Sequence, residues 1–489
     1  MIAGMNGNTK PMQTEPNTGE LFDGGAQPGA EARVEQAEAK IQAEPRLMRA
    51  QRDQVELRAF DLDSTLGADH AARTVWAFVQ SLDMTQLHAA MKAVQGRPGR
   101  PAIDPAILMA LWLWATIDGV GSAREIDRLC ERDDAYRWLC GGVGVNYHSL
   151  ADFRTEHERW LDAQLTRSVA SLLERRLVTL NVVSQDGMRV RASAKASSMR
   201  RKERLQQLLD QARAQVHALK AELGEDAGAS SRRKQAARER AARQREERLA
   251  QALATLHKIE HKAESNKPTR KSPGKRTDKD EGPLGRGASP KSEGKKAPRE
   301  PRVSTSDPQA RVMKMADGGF RPAFNAQLAV DADTQIIAAV EVVNAGSDMH
   351  QLAPMHAAVH ERYGVVPEHW LADGGFAKFE AIEQLAERGT QAVVPPPHSR
   401  HRPEVDPCAP RDTDSAAIAT LRQLIGSPEG QALYRRRAAT VECANAQLRR
   451  RGLWQFNVRG LVKARAVLLW HALAHNLLRM ATLNYSFSG

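Results

Sequence analysis

Three acidic residues lie in local sequences that could serve phosphodiester chemistry. Asp186 is found in VSQDG and Asp373 in LADGG, each at the end of a short apolar, β-branched segment that predicts a strand. The carboxyl ends of strands in α/β sheets expose side chains above a rigid support. Glu442 lies in TVECANAQLRRRG, an arginine-rich helical segment. Each residue alone has a structural alternative, because Asp-Gly is common turn chemistry and a glutamate among arginines forms ordinary ion pairs.

Together, three carboxylates and nearby arginines match the needs of DNA strand cleavage. That reaction requires a nucleophile made from water or a 3′-hydroxyl, and neutralisation of charge on the attacking and leaving oxygens. Two Mg²⁺ ions about 3.5 to 4 Å apart supply both. Mg²⁺ takes oxygen ligands, so aspartate and glutamate are its expected cage, and a basic surround holds DNA against these acids.

Other residues compete for these roles. Asp331 and Asp333 lie in DADT, which reads as a turn between two strands. His471 and His475 have the i, i+4 spacing of a zinc pair but lack a third ligand, which favours a buried polar helix. The sequence has no GxxxxGK[ST] motif for an ATP-driven motor and no GxSxG motif for a covalent nucleophile.

The elements that must position the acids form a mixed pattern. LVTLNVVSQDGMRV predicts a first strand, and FRPAFNAQLAV and QIIAAVEVV predict two more. A helix is predicted from about 348 to 363, followed by a strand ending at Asp373, a helix through KFEAIEQLAERG, the strand QAVVP and a long helical C-terminus from about Pro428. Strands alternating with helices after consecutive strands indicate a mixed α/β sheet.

The preceding region is predicted to be helical, with clear signals for where its helices start and end. Asp104-Pro105 predicts the start of one helix, and GVG predicts its end. Ser122 with Glu125 predicts a capping box at the start of a second helix, and Ser149 with Asp152 predicts the start of another. Two helices joined through a short glycine turn resemble a helix-turn-helix. The second helix carries a row of basic residues along one face. This face would contact DNA, or the helix would be solvent-exposed and stabilised by ion pairs along its surface. The residues of this row are Arg124, Arg128 and Arg132.

The motif GRPGRP lies just upstream of these helices. Its Arg97 and Arg100 could enter a DNA minor groove as an arm. An extended proline linker is the alternative.

The net charge of +12 belongs to one segment. Residues 200–300 hold 27 Lys and Arg against 15 Asp and Glu, so the rest of the chain balances at 44 of each. Residues 200–264 predict a basic helical hairpin, and its heptad seam is Leu205, Leu209, Ala212, Val216, Leu219 and Leu223. Residues 265–310, rich in Pro, Gly, Ser and Lys, predict a disordered basic linker. The alternative for the hairpin is a solvated coiled coil that contacts only protein.

Composition excludes several classes of protein. The pI of about 9.7 favours a polyanionic partner, whereas 5% aromatic residues argue against an RNA reader built on stacking platforms. Four cysteines without a CxxC pair predict neither a disulfide framework nor a zinc ribbon. The longest apolar run, 106–117, is too short to span a bilayer, and the first twenty residues do not resemble a secretory signal. We therefore expect a cytoplasmic, nucleoid-associated protein without membrane contact.

Five blocks in order resemble the DDE transposases of bacterial insertion sequences. They are GRPGRPAIDPAILMALWLWATIDGVGSAREIDRLC with YRWLCGG and HSLADFR; VSQDGMRVRASA; FNAQLAVDADTQII; LADGGFAKFEAIEQLAERG; and YRRRAATVECANAQLRRRGLWQFNVRG with HNLLRM. The likeness runs from about Phe60 to Thr482 apart from the basic insert.

The resemblance implies an α/β ribonuclease H-like mixed sheet core, an all-helical N-terminal domain and a helical hairpin insertion. It assigns the catalytic and metal-binding trio to Asp186, Asp373 and Glu442, with two Mg²⁺ or Mn²⁺ ions. It also implies DNA contacts near the glutamate at Tyr434, Arg437 and Arg449, the last standing where lysine is expected. Phe376 stands where the family usually has tyrosine, so that position carries no hydroxyl. Asp186 and Asp373 are 187 residues apart, or 86 without the 101-residue basic segment, which suits an insert spliced into a compact core.

The predicted organisation has six parts. They are a polar tail (1–55), a helical DNA-binding domain (56–176), the first part of the catalytic core (177–199), a basic hairpin (200–264), a basic linker (265–310), and the rest of the core with C-terminal helices (311–489). The implied partners are double-stranded DNA, as terminal inverted repeats and as target. Because two element ends must be held together, we expect a homodimer or higher assembly on DNA, with the hairpin as one possible contact.

Two other functions fit the same sequence. A catalytically silent, repressor-like relative would occupy element ends without cutting them. A basic structural protein would coat nucleic acid through the hairpin without end specificity and with a steep salt dependence.

Overall fold

A computed structural model describes residues 61–91, 93, 101–222, 229–265, 300–397, 406–485 and 487. The predicted polar tail, Arg97, Arg100, Leu223 and most of the predicted basic linker lie outside these residues. Residues Phe60–Gly489 form one compact unit.

Seven helices precede the first strand within the described residues. They are α1 (Ala71–Gln80), α2 (Thr85–Ala89), α3 (Pro105–Asp118), α4 (Ala123–Arg132), α5 (Asp134–Cys140), α6 (Tyr147–Glu156) and α7 (Glu158–Glu174). Asp104 caps α3 by accepting from the Ala106 amide, and Gly119 ends it in the left-handed region, as predicted. Ser122 occupies the N-cap of α4 but makes no capping bond through its side chain.

The predicted start at Ser149 is wrong. Helix α6 begins earlier because Asn146 Oδ1 accepts from the Ser149 amide (3.0 Å).

Helices α3 and α4 meet at a bend of 98°, within the range of helix-turn-helix motifs. Among the described residues no single helix is long and apolar enough to cross a membrane; this bent pair meets the criteria only when its helices are taken together.

The strands confirm the predicted mixed sheet. The bounds are β1 (Val182–Arg191), β2 (Met199–Arg200), β3 (Val303–Ser304), β4 (Arg311–Lys314), β5 (Phe320–Asp331), β6 (Ile337–Val343), β7 (His369–Leu371) and β8 (Gln391–Val393). The main order is β6-β5-β1-β7-β8, with β4 paired to the start of β5 and the β2–β3 pair separate. Strand β1 is central, antiparallel to β5 and parallel to β7.

The remaining helices pack around this sheet. They are α8 (Lys202–Glu222), α9 (Ala229–Ser265), α10 (Leu352–Tyr363), α11 (Phe379–Glu387), α12 (Ala416–Gly426), α13 (Pro428–Arg437), α14 (Cys443–Arg450) and α15 (Leu461–Thr482). Helix α15 is buried along most of its length and contacts α3, α6, α7 and β6. The N-terminal helices and one face of the sheet therefore share a hydrophobic core.

The basic insert forms the predicted hairpin of α8 and α9. Its buried seam includes Leu205, Leu209 and Ala212 on α8 and Leu249 and Leu256 on α9. Val216 is buried as expected, whereas Leu219 is only half-buried. The predicted disorder from 265 to 310 is wrong at its end, because β3 pairs with β2 and Val303 packs into the hairpin seam.

Candidate active site

Asp186 lies in the middle of β1, not at a strand end as predicted. It pairs opposite Leu328 of β5. Side chains alternate along a strand, so Asp186 shares a face with Met188 and Val190, which pack in the core beside α14 and α15. Its side chain is 17% exposed. Burial raises the pKa of Asp186 to about 6, and the charges of Asp373 and Asp348 add to the effect of burial.

Asp373 follows β7 by two residues, close to the predicted strand end. Its Oδ1 accepts from the Gly375 amide (2.7 Å) and caps the short helical turn Gly374–Phe376. Strand β7 lies beside β1, which brings Asp373 within electrostatic range of Asp186. Phe376 is fully buried in the core, so this position provides no hydroxyl to the site.

Glu442 lies at the end of a π-helical turn, Ala438–Glu442, between α13 and α14. Such turns insert an extra residue into a helix and are frequent at functional sites. The turn packs across β1 and β5, and the Glu442 side chain is 47% exposed. The sheet thus supports Glu442 over the strand that carries Asp186. Nothing in the sequence pattern indicated the π-helical turn.

Arg437 links two of the three carboxylates. Its Nη2 donates to Glu442 Oε1, and its Nη1 lies 3.7 Å from Asp186 Oδ1. The side chain is 11% exposed, and the guanidinium lies 5.9 Å from the Tyr434 ring centre. Arg437, a predicted DNA contact, also supplies positive charge between two acids.

Asn445 is a site residue that the sequence interpretation missed. Its Nδ2 donates to Asp186 Oδ2 (2.8 Å) and fixes the orientation of that carboxylate. Within the described residues, the Asn445 Oδ1 is buried and has no hydrogen-bond partner. Asn445 lies three residues after Glu442 on α14, a spacing that shares one helix face and could have indicated it.

A buried polar network lies on the opposite face of β1. Asp348 accepts from Asn325 Nδ2 (2.6 Å), Gln327 Nε2 (2.7 Å) and Arg189 Nη2 (2.7 Å). A Cβ atom at Gly187 would lie 2.2 Å from Asp348 Oδ1 and 2.4 Å from Gln327 Nε2. Gly187 is therefore required by close packing within a strand, not by the turn that Asp-Gly suggested.

The competing aspartates have structural roles. Asp331 is buried; its Oδ1 accepts from the Leu180 amide and its Oδ2 from Thr334. Asp333 forms an ion pair with Arg436, and Gln335 Nε2 donates to Ala439 O (2.8 Å). The predicted turn between β5 and β6 thus holds the π-helical turn in place.

The paired histidines of α15 are also structural. His475 Nε2 contacts Gln335 O at 2.8 Å. Burial lowers the pKa of His471 to about 3 and that of His475 to about 4. These neutral, buried side chains agree with the predicted polar helix.

Four other predicted DNA contacts, on α4 and α14, lie within the described residues. Arg124, Arg128 and Arg132 are exposed on α4, but Arg128 pairs with Glu125 (2.7 Å). Arg449 stacks over Trp454 with its guanidinium 5.7 Å from the ring centre. Trp454 is 62% exposed, which is unusual for so large an apolar side chain.

The donor chemistry of the site suits a divalent cation. Asp186, Asp373 and Glu442 offer carboxylate oxygens, and Asn445 adds an unpaired amide oxygen. A cation would also offset the cost of the buried Asp186 charge. In the part of the chain that the structure describes, no three His, Cys, Asp or Glu side chains are placed to hold a metal ion, and Arg437 lies between two of the acids.

Two family models match the chain. A transposase DDE domain matches residues 294–477, which include Asp373 and Glu442, and the transposase domain DUF772 matches residues 60–156, which include α1 to α6. Asp186 and the hairpin lie between the two matches. Comparisons with curated proteins and with solved structures find no match.

The DDE domain implies a ribonuclease H-like fold, which agrees with the mixed sheet, and such domains generally use divalent metals. The two matches have the same order along the chain as the helical region and the sheet. On these grounds the chain is a member of the insertion-sequence DDE transposases.

Proposed function

We propose that this chain binds the terminal inverted repeats of an insertion sequence, cleaves a DNA strand at each end and transfers the freed 3′-hydroxyl to target DNA. The observation that carries the proposal is the link that Arg437 makes between Asp186 and Glu442, with Asp373 within electrostatic range of Asp186. Transposase families act on DNA, and this arrangement of acids supports the proposal.

The three carboxylates are the proposed holders of two divalent ions, Mg²⁺ or Mn²⁺. When bound, these ions activate the attacking hydroxyl and neutralise the phosphate oxygens. Asn445 keeps Asp186 in one orientation through its amide hydrogen bond. The other two acids come from separate elements, Asp373 from the end of β7 and Glu442 from the π-helical turn.

Arg437 offsets the negative charge of Asp186 and Glu442 while DNA and metal are not bound. Its charge opposes the burial of Asp186, so it lowers the cost of keeping that carboxylate ionised. The exposed arginines of α4 are proposed to contact the DNA ends. Holding two ends requires at least a dimer on DNA, which weighing the protein with and without end DNA would detect.

The test is cleavage of a supercoiled plasmid that carries the DNA flanking this coding sequence. In Mg²⁺ the unmutated chain is expected to nick the plasmid. Asp186→Asn, Asp373→Asn and Glu442→Gln should each slow nicking by roughly a thousandfold, about 4 kcal/mol of barrier. Asp317→Asn, in the exposed turn before β5, is the control that keeps its activity. A chain that binds end DNA but never nicks it would be the silent, repressor-like relative.

A further inference from the structure

A polar cleft of about 490 Å³ opens beside the hairpin, where the continuation of β1 meets the loop between α14 and α15. The serines of this continuation, together with Ser306 and Gln455, form its walls. Lys195 and Arg459 supply its charge, and both are exposed. None of its lining residues is acidic. Such a lining suits an anion that accepts hydrogen bonds.

The cleft is built on the segment that follows the strand of Asp186 and on the loop that follows α14, the helix after Glu442. At the end of β1 the Arg191 amide donates to Trp454 O (3.2 Å), and the Phe456 amide donates to Arg191 O (2.9 Å). The Gly460 amide donates to Asp307 Oδ2 (3.1 Å), which fixes the returning chain of the insert to the same loop. The cleft walls are thus fixed to the strand that carries Asp186.

The hairpin adds cations to the same surface. Arg248 of α9 lies within electrostatic range of Arg459 and Arg245, and burial together with these two like charges lowers its pKa. Glu247 and Asp307 oppose part of this repulsion. The carboxylate of Asp307, however, already accepts from backbone amides. Convergent cations of this kind favour an anionic ligand.

We propose that this surface, formed by Lys195, Arg248 and Arg459, binds the phosphodiester backbone of the DNA held by the catalytic site. The inference rests on the proposed function. From Asp186 to Arg191 the strand covers about 17 Å, or about five base pairs of duplex. The insert then places much of the chain's net charge where it extends the DNA contact beyond the cut. It joins the core directly after β1, which explains its position in the sequence.

The experiment measures binding of the full chain to a fluorescein-labelled 30-base-pair duplex in EDTA between about 50 and 200 mM salt. The variant is Arg248→Gln with Arg459→Gln. The matched control is Arg204→Gln with Arg240→Gln, which removes the same charge from exposed hairpin positions elsewhere. We expect the variant to lose roughly tenfold in affinity and to reduce the salt slope by about 1.8, since each phosphate contact contributes about 0.9. The control should stay within twofold.

Equal losses in both pairs, or no loss in the first, would overturn the proposal in favour of diffuse charge on the hairpin. A variant that changes the sedimenting mass but not DNA affinity would also overturn it, because the occupant would then be a second copy. Arg459→Gln alone provides a milder variant should the double one unfold. If the unmutated chain nicks plasmid while the variant binds normally, only this inference fails. If it neither binds nor nicks, the proposed function fails.

Discussion

The carboxylate site and the hairpin insert handle charge in opposite ways. At the site, a few charged side chains lie on a packed sheet and contact specific polar groups. Asp186, for example, accepts a hydrogen bond from Asn445 and lies close to Arg437. In the hairpin, many cations project from two helices held by a narrow apolar seam. Burying a charged side chain fixes its orientation but costs free energy, because the charge loses its water. An exposed charged side chain avoids most of that cost, but only its helix limits its orientation. The first region therefore suits the proposed chemistry, and the second suits the proposed contact with a long polyanion.

The largest effect is expected from Gly187→Ala in the sheet. The added Cβ would collide with Asp348 Oδ1 and Gln327 Nε2, both buried and hydrogen-bonded. Overpacking at such a place should lower the free energy of unfolding by about 3 kcal/mol. Chemical denaturation of the full chain measures this loss.

Gly346→Ala is the matched control, since its nearest neighbour would be Met313 Cγ at 3.8 Å. We expect it to change the free energy of unfolding by less than about 0.5 kcal/mol. Similar losses in both variants would mean that Gly187 is not fixed by the polar network.

A substitution in the buried seam of the hairpin should destabilise the hairpin alone. Leu209→Ala removes a buried side chain from the small seam between α8 and α9, so we expect a loss of about 2 kcal/mol confined to the hairpin. Amide hydrogen exchange should quicken in residues 202–222 and 229–265 while β1 and β5 keep their protection. Leu208→Ala, half-buried beside the seam, should show a smaller change. Loss of protection in the sheet would contradict the separation of the two regions.

Sequence reasoning was most accurate where local signals agree with the final packing. Asp104 with Pro105 starts α3, and the turn after β5 falls where predicted. Asp186 was placed wrongly because Asp-Gly is read locally as a turn, whereas long-range pairing with β5 and the Asp348 network keep Gly187 in the strand. The π-helical turn before Asn445 has no local sequence signal.

Asp186→Asn should stabilise the chain without divalent ions, which separates stability from function. The folded pKa of about 6 lies above the ordinary value of 3.8 for an aspartate, so this group's contribution to stability is present below pH 3.8 and is lost as pH rises through 6. At pH 7 the substitution removes that cost but leaves Arg437 less well paired, so we expect a gain of about 1 kcal/mol. Thermal unfolding in EDTA measures it.

Titration with Mg²⁺ supplies the matching control for Asp186→Asn. The unmutated chain should gain stability as the ion binds the folded state, whereas the variant should gain much less. Equal responses to Mg²⁺ would contradict a role for Asp186 in metal binding.

The smallest effect is expected from Arg248→Gln, and its sign is the informative part. Arg248 carries a charge repelled by Arg459 and Arg245, so its loss should raise the free energy of unfolding by a few tenths of a kcal/mol in low salt. Salt screens this repulsion, so the gain should vanish near 1 M, where the Debye length is about 3 Å. Arg240→Gln, exposed on the same helix, should show no comparable gain. A loss of stability would mean that Arg248 supports the fold, and its repelled charge would no longer indicate a place kept for DNA.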